Sequence, residues 1–503
     1  MTASEPIYLD YAASTPVDPV VAEAMAECLR AQGGWGNPSS MHVFGRRAVE
    51  RIEAARRQVA ALIGASPEEI VFTSGATESD NMALLGISRS NAHRGRHVVS
   101  SRIEHKAVLD PCRHLQKEGF AVTLLTPARS GTIDPGALAA ALRPETVLVS
   151  LMLVNNEIGV IQDVEAITAL CRDRGIPFHT DAAQAVGKIP IDVHALAIDF
   201  MSFTAHKLYG PKGIGALYVR AGAKPQLQPV TFGGGQEKGL RPGTLPTHQI
   251  VGFGVACERA RMMLAEESAR LVPLREALWS KLAALGGAHL NGEGEPRVPG
   301  ILNVSFEGVE GESLVSGLSE LAVSTGSACN SASAEPSYVL RALGRDTELA
   351  QSSLRFSFGR FTTAGELERA ASAVSRELER LRALSPACEG AEGALAVRQR
   401  MSRSDELMGE AGGPGQEVWV RFRLQVRDGS VRKASFKAYG CPHTLAVAAW
   451  LAARLEGRSR AELIPGKPED WARELAVPTE KLGRLLRIED ALCECLRHWP
   501  GEV

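Results

Sequence analysis

With 503 residues, 45% of them hydrophobic and 23% charged, the chain is long enough for several cores and has the balance of a globular protein. A formal charge of only -2 removes the electrostatic case for nucleic acid or an anionic membrane surface as the main partner and favours small molecules or proteins. No apolar leader and no apolar run of about 18 residues stands out, so the expectation is a cytoplasmic chain without a membrane span. Nine cysteines at irregular spacing read as thiols, and Cys28, Cys112, Cys171 and Cys257 read as small buried hydrophobes.

From residue 5 to 385, apolar strand-like runs alternate with amphipathic helical stretches, which predicts an α/β architecture. Val49, Ile52, Ala55, Val59 and Leu62 recur at helical spacing. EIVFTSG (69–75), VLVSLMLV (147–154), IPFHTDA (176–182) and DFMSFTA (199–205) have the length and composition of buried strands. The pattern then lapses, and 386–415 reads as a Gly- and Ala-rich linker with a weak helical stretch around 393–408. A period-two run at 418–426, the turn DGS and a returning run to Gly440 predict a hairpin, followed by helices to the end.

Three segments carry chemistry in a telling order. TSGATESDN (73–81) places a glycine turn before a helix, whose free N–H groups suit a phosphate. Asp181 ends a strand, where a carboxylate can either pair with a protonated pyridine nitrogen or cap the next helix. Lys207 follows another strand and precedes a glycine turn, and its long stem suits a Schiff base with an aldehyde. Arg355 sits in SSLRFSFGR on the strand face opposite Leu354, Phe356 and Phe358, where it can grip a carboxylate or make a surface ion pair. Cys329 lies in STGSACNSASAEPS, a stretch too small and polar to bury a structural thiol.

YLDYAASTPVDP, GNPSS, FTSGATESDN, EHKAVL, NNEIGV, HTDAAQAVGK, SFTAHKLYGPKG, RPGTLP and TGSACNSASAEPSYVL together resemble the cysteine desulfurases of the NifS and IscS type. The resemblance spans residues 5 to 385. It implies the aspartate-aminotransferase-like fold of fold-type-I pyridoxal-phosphate enzymes, with a large domain over about 15–260 and a small domain built from the N-terminal segment and about 261–385. It also implies roles. Lys207 matches the lysine that holds pyridoxal 5'-phosphate, Asp181 the partner of its ring nitrogen, Gln184 and Asn156 the donors to its ring oxygen, and His105 the imidazole stacked on the ring. Thr77, Thr204 and His206 match phosphate ligands, with threonine where the family commonly has serine at 204. Thr244 matches a phosphate ligand supplied by a second subunit, which implies a homodimer. Arg355, with Asn156, matches the site for the substrate's α-carboxylate, and Cys329 the thiol that takes sulfur from L-cysteine as a persulfide, leaving alanine. Lys207 would move the α-proton, and His105 is a candidate acid or base for the thiols.

Within a C-terminal α+β domain expected over 416–503, residues from about 416 to 497 resemble the IscU-type iron–sulfur scaffold, through VRFRLQVRDGSVRKASFKAYGC and the helical tail with RIEDAL. The scaffold's ligand set of three cysteines and a histidine is mostly missing. Cys441 remains, Gly483 and Arg484 stand where the His-Cys pair is expected, and Cys493 and Cys495 point to opposite sides of a helix. Cys441 and His443 are at best a two-ligand remnant. The expectation is a domain that relays sulfur through Cys441, docks other sulfur-acceptor proteins or blocks a scaffold's place, tethered at roughly millimolar effective concentration. Two other readings stay open: a selenocysteine lyase or related enzyme of this cofactor, and a non-catalytic assembly platform. Intact Lys207, Asp181, His105, Arg355 and Cys329 weigh against the platform.

Overall fold

Short apolar runs become the strands of one large sheet in the computed structural model, which describes residues 5–30, 33–325, 336–385, 406–413 and 416–499. After the edge segment β1 (Ile7–Tyr8) come β2 (Ile70–Thr73), β3 (His97–Ser101), β4 (Ala121–Leu125), β5 (Thr146–Ser150), β6 (Phe178–Asp181), β7 (Phe200–Thr204) and β8 (Gly215–Val219). The last seven form a sheet in the order β2-β8-β7-β6-β5-β3-β4, with only β8 antiparallel to its neighbours. Every residue of β2, β3, β5, β6, β7 and β8 is buried, as expected of strands covered on both faces. The predicted run 147–154 is shorter as a strand, since β5 stops at Ser150 and the chain turns along the cavity edge beyond it.

This topology creates the site. Because β2, β3, β5, β6 and β7 run the same way, the turns after them gather at one sheet edge, where open α/β sheets bind ligands. Helix Val43–Leu62 covers one face through Ile52, Ala55 and Val59, and helix Ala76–Ser90 packs on the other through Met82, Ala83, Leu84 and Ile87. Helix Thr247–Ala283 joins two cores. Its first half adds Ile250, Phe253 and Ala256 to the sheet's core, and its second half gives Leu271, Leu278 and Leu282 to the next one.

That second core lies between β9 (Ala288–Leu290), β10 (Ile301–Phe306) and β12 (Ser353–Ser357), an antiparallel sheet in the order β12-β10-β9, and helix Ala364–Leu384. β1 returns here to pair in parallel with β11 (Leu321–Ala322), beside this body. The helix begins with a capping box between Thr363 and Glu366.

A third core is closed by β13 (Glu406–Gly412), β14 (Trp419–Arg427) and β15 (Ser430–Tyr439), a meander covered by helices Pro442–Leu455, Pro468–Glu474 and Leu482–Arg497. The predicted hairpin is present, and Asp428 and Gly429 both take positive φ, 51° and 70°, as its tight turn requires. β13 corrects the reading of 406–412 as linker and of its start as weak helix. Its glycines read as irregular in sequence, yet a Cβ at Gly409 would lie 2.1 Å from the Ala491 carbonyl oxygen and 2.5 Å from the Cys495 nitrogen. The small residues let helix Leu482–Arg497 lie directly on the strand. The third body rests on the second: Ser313 Oγ donates to the Gly440 carbonyl at 2.7 Å, Lys481 pairs with Glu312 at 2.8 Å, and Leu445 packs against both cores. Among the described residues no helix is long and apolar enough to cross a membrane.

Candidate active site

The turns at the sheet edge surround a cavity of about 530 Å3. It is lined by Thr77, His105, Asn156, Asp181, Gln184, Thr204, His206, Lys207 and Arg355. These nine expected residues come from six separate stretches of chain and meet only in the fold.

Asp181 ends β6 and is 6% exposed. Its Oδ1 accepts from Ala183 N at 2.9 Å, so it closes a turn, and no helix follows for it to cap. Burial raises its pKa, opposed by the Ala183 bond and by the neighbouring His105 and Lys207. Lys207 stands one turn after β7, where its amine donates to the carbonyls of Ala12 and Ala13, the latter at 2.7 Å. Gln184 donates to the Ala12 carbonyl at 2.8 Å and accepts from Lys188. His105 opens helix Lys106–Lys117 and accepts from Ala107 N through Nδ1 at 3.2 Å.

Helix Ala76–Ser90 begins after Gly75 with no side chain capping it, leaving N–H groups directed at the cavity end that Thr77 and Thr204 line. Burial, helped by Lys207, pushes the His206 pKa down to about 4, so its ring is neutral at neutral pH. Glu78 accepts from Ser74 N at 2.5 Å and pairs with Arg241 at 3.0 Å, which ties this turn to the RPGTLP segment. Thr244 in that segment is exposed and does not line the cavity of its own chain.

On the opposite wall Arg355 is 4% exposed, while Leu354 and Phe356 enter the second core as the alternation required. Its guanidinium donates to Asp10 Oδ1 at 2.7 Å and to the Asn156 carbonyl at 2.9 Å, which aims it at the cavity. Asn156 Oδ1 is buried and accepts no hydrogen bond.

Sequence reasoning missed a group of buried polar residues beneath this surface. Glu104 accepts from Ser101 at 2.7 Å and from Met152 N at 3.0 Å, and burial raises its pKa to about 8. His179 lies between Ser150 at 2.8 Å and Ser202 at 2.9 Å, and burial lowers its pKa to about 3. Burial also lowers Lys188, to about 7. Glu104, Asp80 and Lys188 stand inside EHKAVL, TESDN and HTDAAQAVGK, but only the three-dimensional packing shows that Glu104 and Asp80 are buried and Lys188 half-buried.

Cys329 lies outside the described residues. Cys28, Cys112, Cys171 and Cys257 are buried as expected. In the third body Cys441 is fully buried at the start of helix Pro442–Leu455, with Thr444 Oγ1 at 3.4 Å, and His443 is half-buried. Arg484 lies against Cys441 and pairs with Glu417 at 2.9 Å; burial acts to lower its pKa, but these two partners reverse that and raise it. Cys495 is in the third core. Among the described residues no three His, Cys, Asp or Glu side chains converge as for a metal ion.

The cavity suits pyridoxal phosphate. It joins a buried carboxylate, an amine at the end of a strand, an unsatisfied Asn156 oxygen and an uncapped helix start. The profile of the class-V aminotransferase family matches residues 7–370. A cysteine desulfurase IscS from Pectobacterium atrosepticum is 56% identical over 385 residues, which is 76% of this chain and 95% of that protein. Among solved structures, a NifS-like protein is 37% identical and covers 74% of this chain and 99% of its own at a TM-score of 0.69. A structure of SspA in complex with cysteine is 40% identical, covering 71% and 100% at a TM-score of 0.64. The chain belongs to the class-V aminotransferase family, among the cysteine desulfurases of the IscS and NifS kind.

Proposed function

We infer that the chain is a pyridoxal-phosphate-dependent cysteine desulfurase that supplies sulfur for iron–sulfur cluster assembly. The observation that carries this reading is the meeting of Lys207, Asp181, His105 and Arg355 on one cavity. When bound, the cofactor supplies an electron sink for the α-carbon of an amino acid. Asp181 would pair with its ring nitrogen, His105 would lie against the ring, and Asn156 and Gln184 would meet the ring oxygen. Thr77, Thr204, neutral His206 and the helix start would hold the phosphate.

Arg355 takes the carboxylate of L-cysteine in two parallel bonds, with Asp10 fixing its plane. Lys207 carries the cofactor and then moves the α-proton. The Cys329 thiolate attacks the substrate sulfur: an S–S bond forms, the C–S bond breaks, and its electron pair returns to the three-carbon fragment that leaves as alanine. His105 serves the thiol protons. Thr244 completes the phosphate site of a second copy, making the unit a homodimer. Its exposure supports this, as do Trp35, Met41 and Phe232, which are 58%, 91% and 85% exposed in the single chain.

The third body is proposed to be a degenerate IscU-like scaffold domain beginning at β13, with Cys441 as a sulfur acceptor. Arg484 beside Cys441 offers a cation to a thiolate where a cluster site would need another thiolate or imidazole. In the docked arrangement this thiol is closed, so relay requires the domain to lift from Glu312 and Ser313.

Mass spectrometry after incubation with L-cysteine tests both levels. Persulfide is expected on Cys329. Cys329→Ser should keep cofactor absorbance and substrate binding while sulfide release falls by about a thousandfold or more. Normal turnover in that variant removes Cys329 from the reaction. Persulfide that never reaches Cys441 ends the relay reading.

A further inference from the structure

Beneath the cavity floor lies a carboxyl group that the reaction above does not use. Asp80, on helix Ala76–Ser90, is 0% exposed, and neither of its oxygens accepts a hydrogen bond. It lines the same cavity as Asp181, and its Oδ1 is 3.6 Å from His179 Nε2. His179 and Asp181 are two residues apart on β6 and so share a face of the sheet, the face on which the Asp80 helix packs.

The charges around Asp80 decide its state. From β6 it meets Asp181 and neutral His179, from β7 the Ser202 hydroxyl, and from the turn after β3 Glu104. Ser202 is already engaged with His179 at 2.9 Å. Asp181 is the carboxylate beside Lys207, whereas the neighbours of Asp80 include two further carboxyl groups, Asp181 and Glu104. In a dry site the carboxyl group nearer the cation keeps the charge and the one facing other carboxyl groups holds its proton. Burial first, then Asp181, raises the Asp80 pKa well above its usual range. The Ser202 hydroxyl opposes this rise, but with that single nearby donor an ionised Asp80 would still bear most of the cost of a buried charge.

We propose that Asp80 is a neutral carboxylic acid, so that one negative charge, that of Asp181, and not two, stands in the floor of the cavity. Asp80 is a positioning residue: it acts through Asp181, holding the carboxylate's orientation and moderating its basicity. The inference rests on Asp181 being the ring's partner, but its state can be read without the cofactor. In the full-length apoprotein, infrared difference spectroscopy with isotope-labelled aspartate carboxyls should show a protonated aspartic acid at neutral pH, separated by the label from Glu104. Asp80→Asn should abolish that band. Because asparagine keeps a neutral donor of the same shape, Asp80→Asn should also leave cofactor affinity within about twofold and the pH titration of the bound-cofactor absorbance unchanged. Asp80→Ala, which removes the donor to a charged group, should weaken cofactor binding by about tenfold and displace that titration. Absence of the protonated band overturns the proposal, as does a displaced titration in Asp80→Asn, or an undisturbed one in Asp80→Ala. Wild-type protein that shows the band but binds no pyridoxal phosphate would instead refute the cofactor reading.

Discussion

The Lys207 cavity and the Cys441 seam place reactive groups in buried, charged surroundings, but they treat them in opposite ways. At the cavity, side chains from six stretches of chain leave room between them: Asn156 Oδ1 is unsatisfied, a helix start is uncapped and about 530 Å3 is open. At the seam most polar groups have a partner within the protein, with Arg484 on Glu417, Lys481 on Glu312 and Ser313 on the Gly440 carbonyl, although Arg484 Nη1 makes no hydrogen bond. A cavity of about 380 Å3 lies nearby, yet Cys441 does not line it. A site for a ligand keeps unmet hydrogen-bonding capacity around open space. A closed contact has used most of its own and leaves no space beside the thiol.

The largest change that would sharpen this contrast is Arg355→Lys. A lysine cannot form the two parallel bonds, so the apparent affinity for L-cysteine should fall by about ten- to a hundredfold, read from the substrate-induced change in cofactor absorbance. An unchanged affinity would place the carboxylate elsewhere. Next is Gly409→Ala, where the new methyl group meets the Ala491 carbonyl and the Cys495 nitrogen. It should destabilise the third body by about 1–3 kcal/mol, seen as faster hydrogen exchange over 406–499 with the Lys207 cavity unaffected. Equal loosening at the cavity would mean that the two regions unfold as one.

Glu104 offers a smaller, pH-dependent test. The folded protein retains its proton up to about pH 8, whereas an ordinary glutamate releases it near 4.5. Between these values the folded state binds more protons, so stability falls as pH rises. Glu104→Gln should flatten melting temperature against pH across that window, and an unchanged slope would show Glu104 to be ionised. The smallest effect is expected from Glu312→Gln at the seam. Glu312 is half-exposed and its ion pairs are worth about 0.2–1 kcal/mol, so alkylation of Cys441, mapped by mass spectrometry, should quicken by roughly two- to fivefold. No change would mean that the Ser313–Gly440 bond and the apolar contact at Leu445 hold the seam without this ion pair.

The expected cavity residues were legible because each sits in a long local motif at a strand or helix end, and strand ends on one sheet edge must face the ligand. Asp80, Glu104 and Lys188 were in those motifs but not legible as a buried layer, since burial depends on which helix packs over β6. β13 was hidden for a related reason. Its glycines argue against a strand until helix Leu482–Arg497, about 80 residues further on, lies against it.

By itself the sequence determined the α/β alternation, the order of the glycine turn at 73–81, Asp181 and Lys207, and the hairpin at Asp428–Gly429. All are local patterns, set by side-chain periodicity and backbone preference over a few residues. Only the tertiary structure decided that Arg355 is aimed by Asp10, that Asp80 lies unpaired beneath Asp181, and that Cys441 is closed between Arg484 and the second body. Each of these joins residues far apart in the chain, where solvent exclusion sets the charge and no sequence spacing records it.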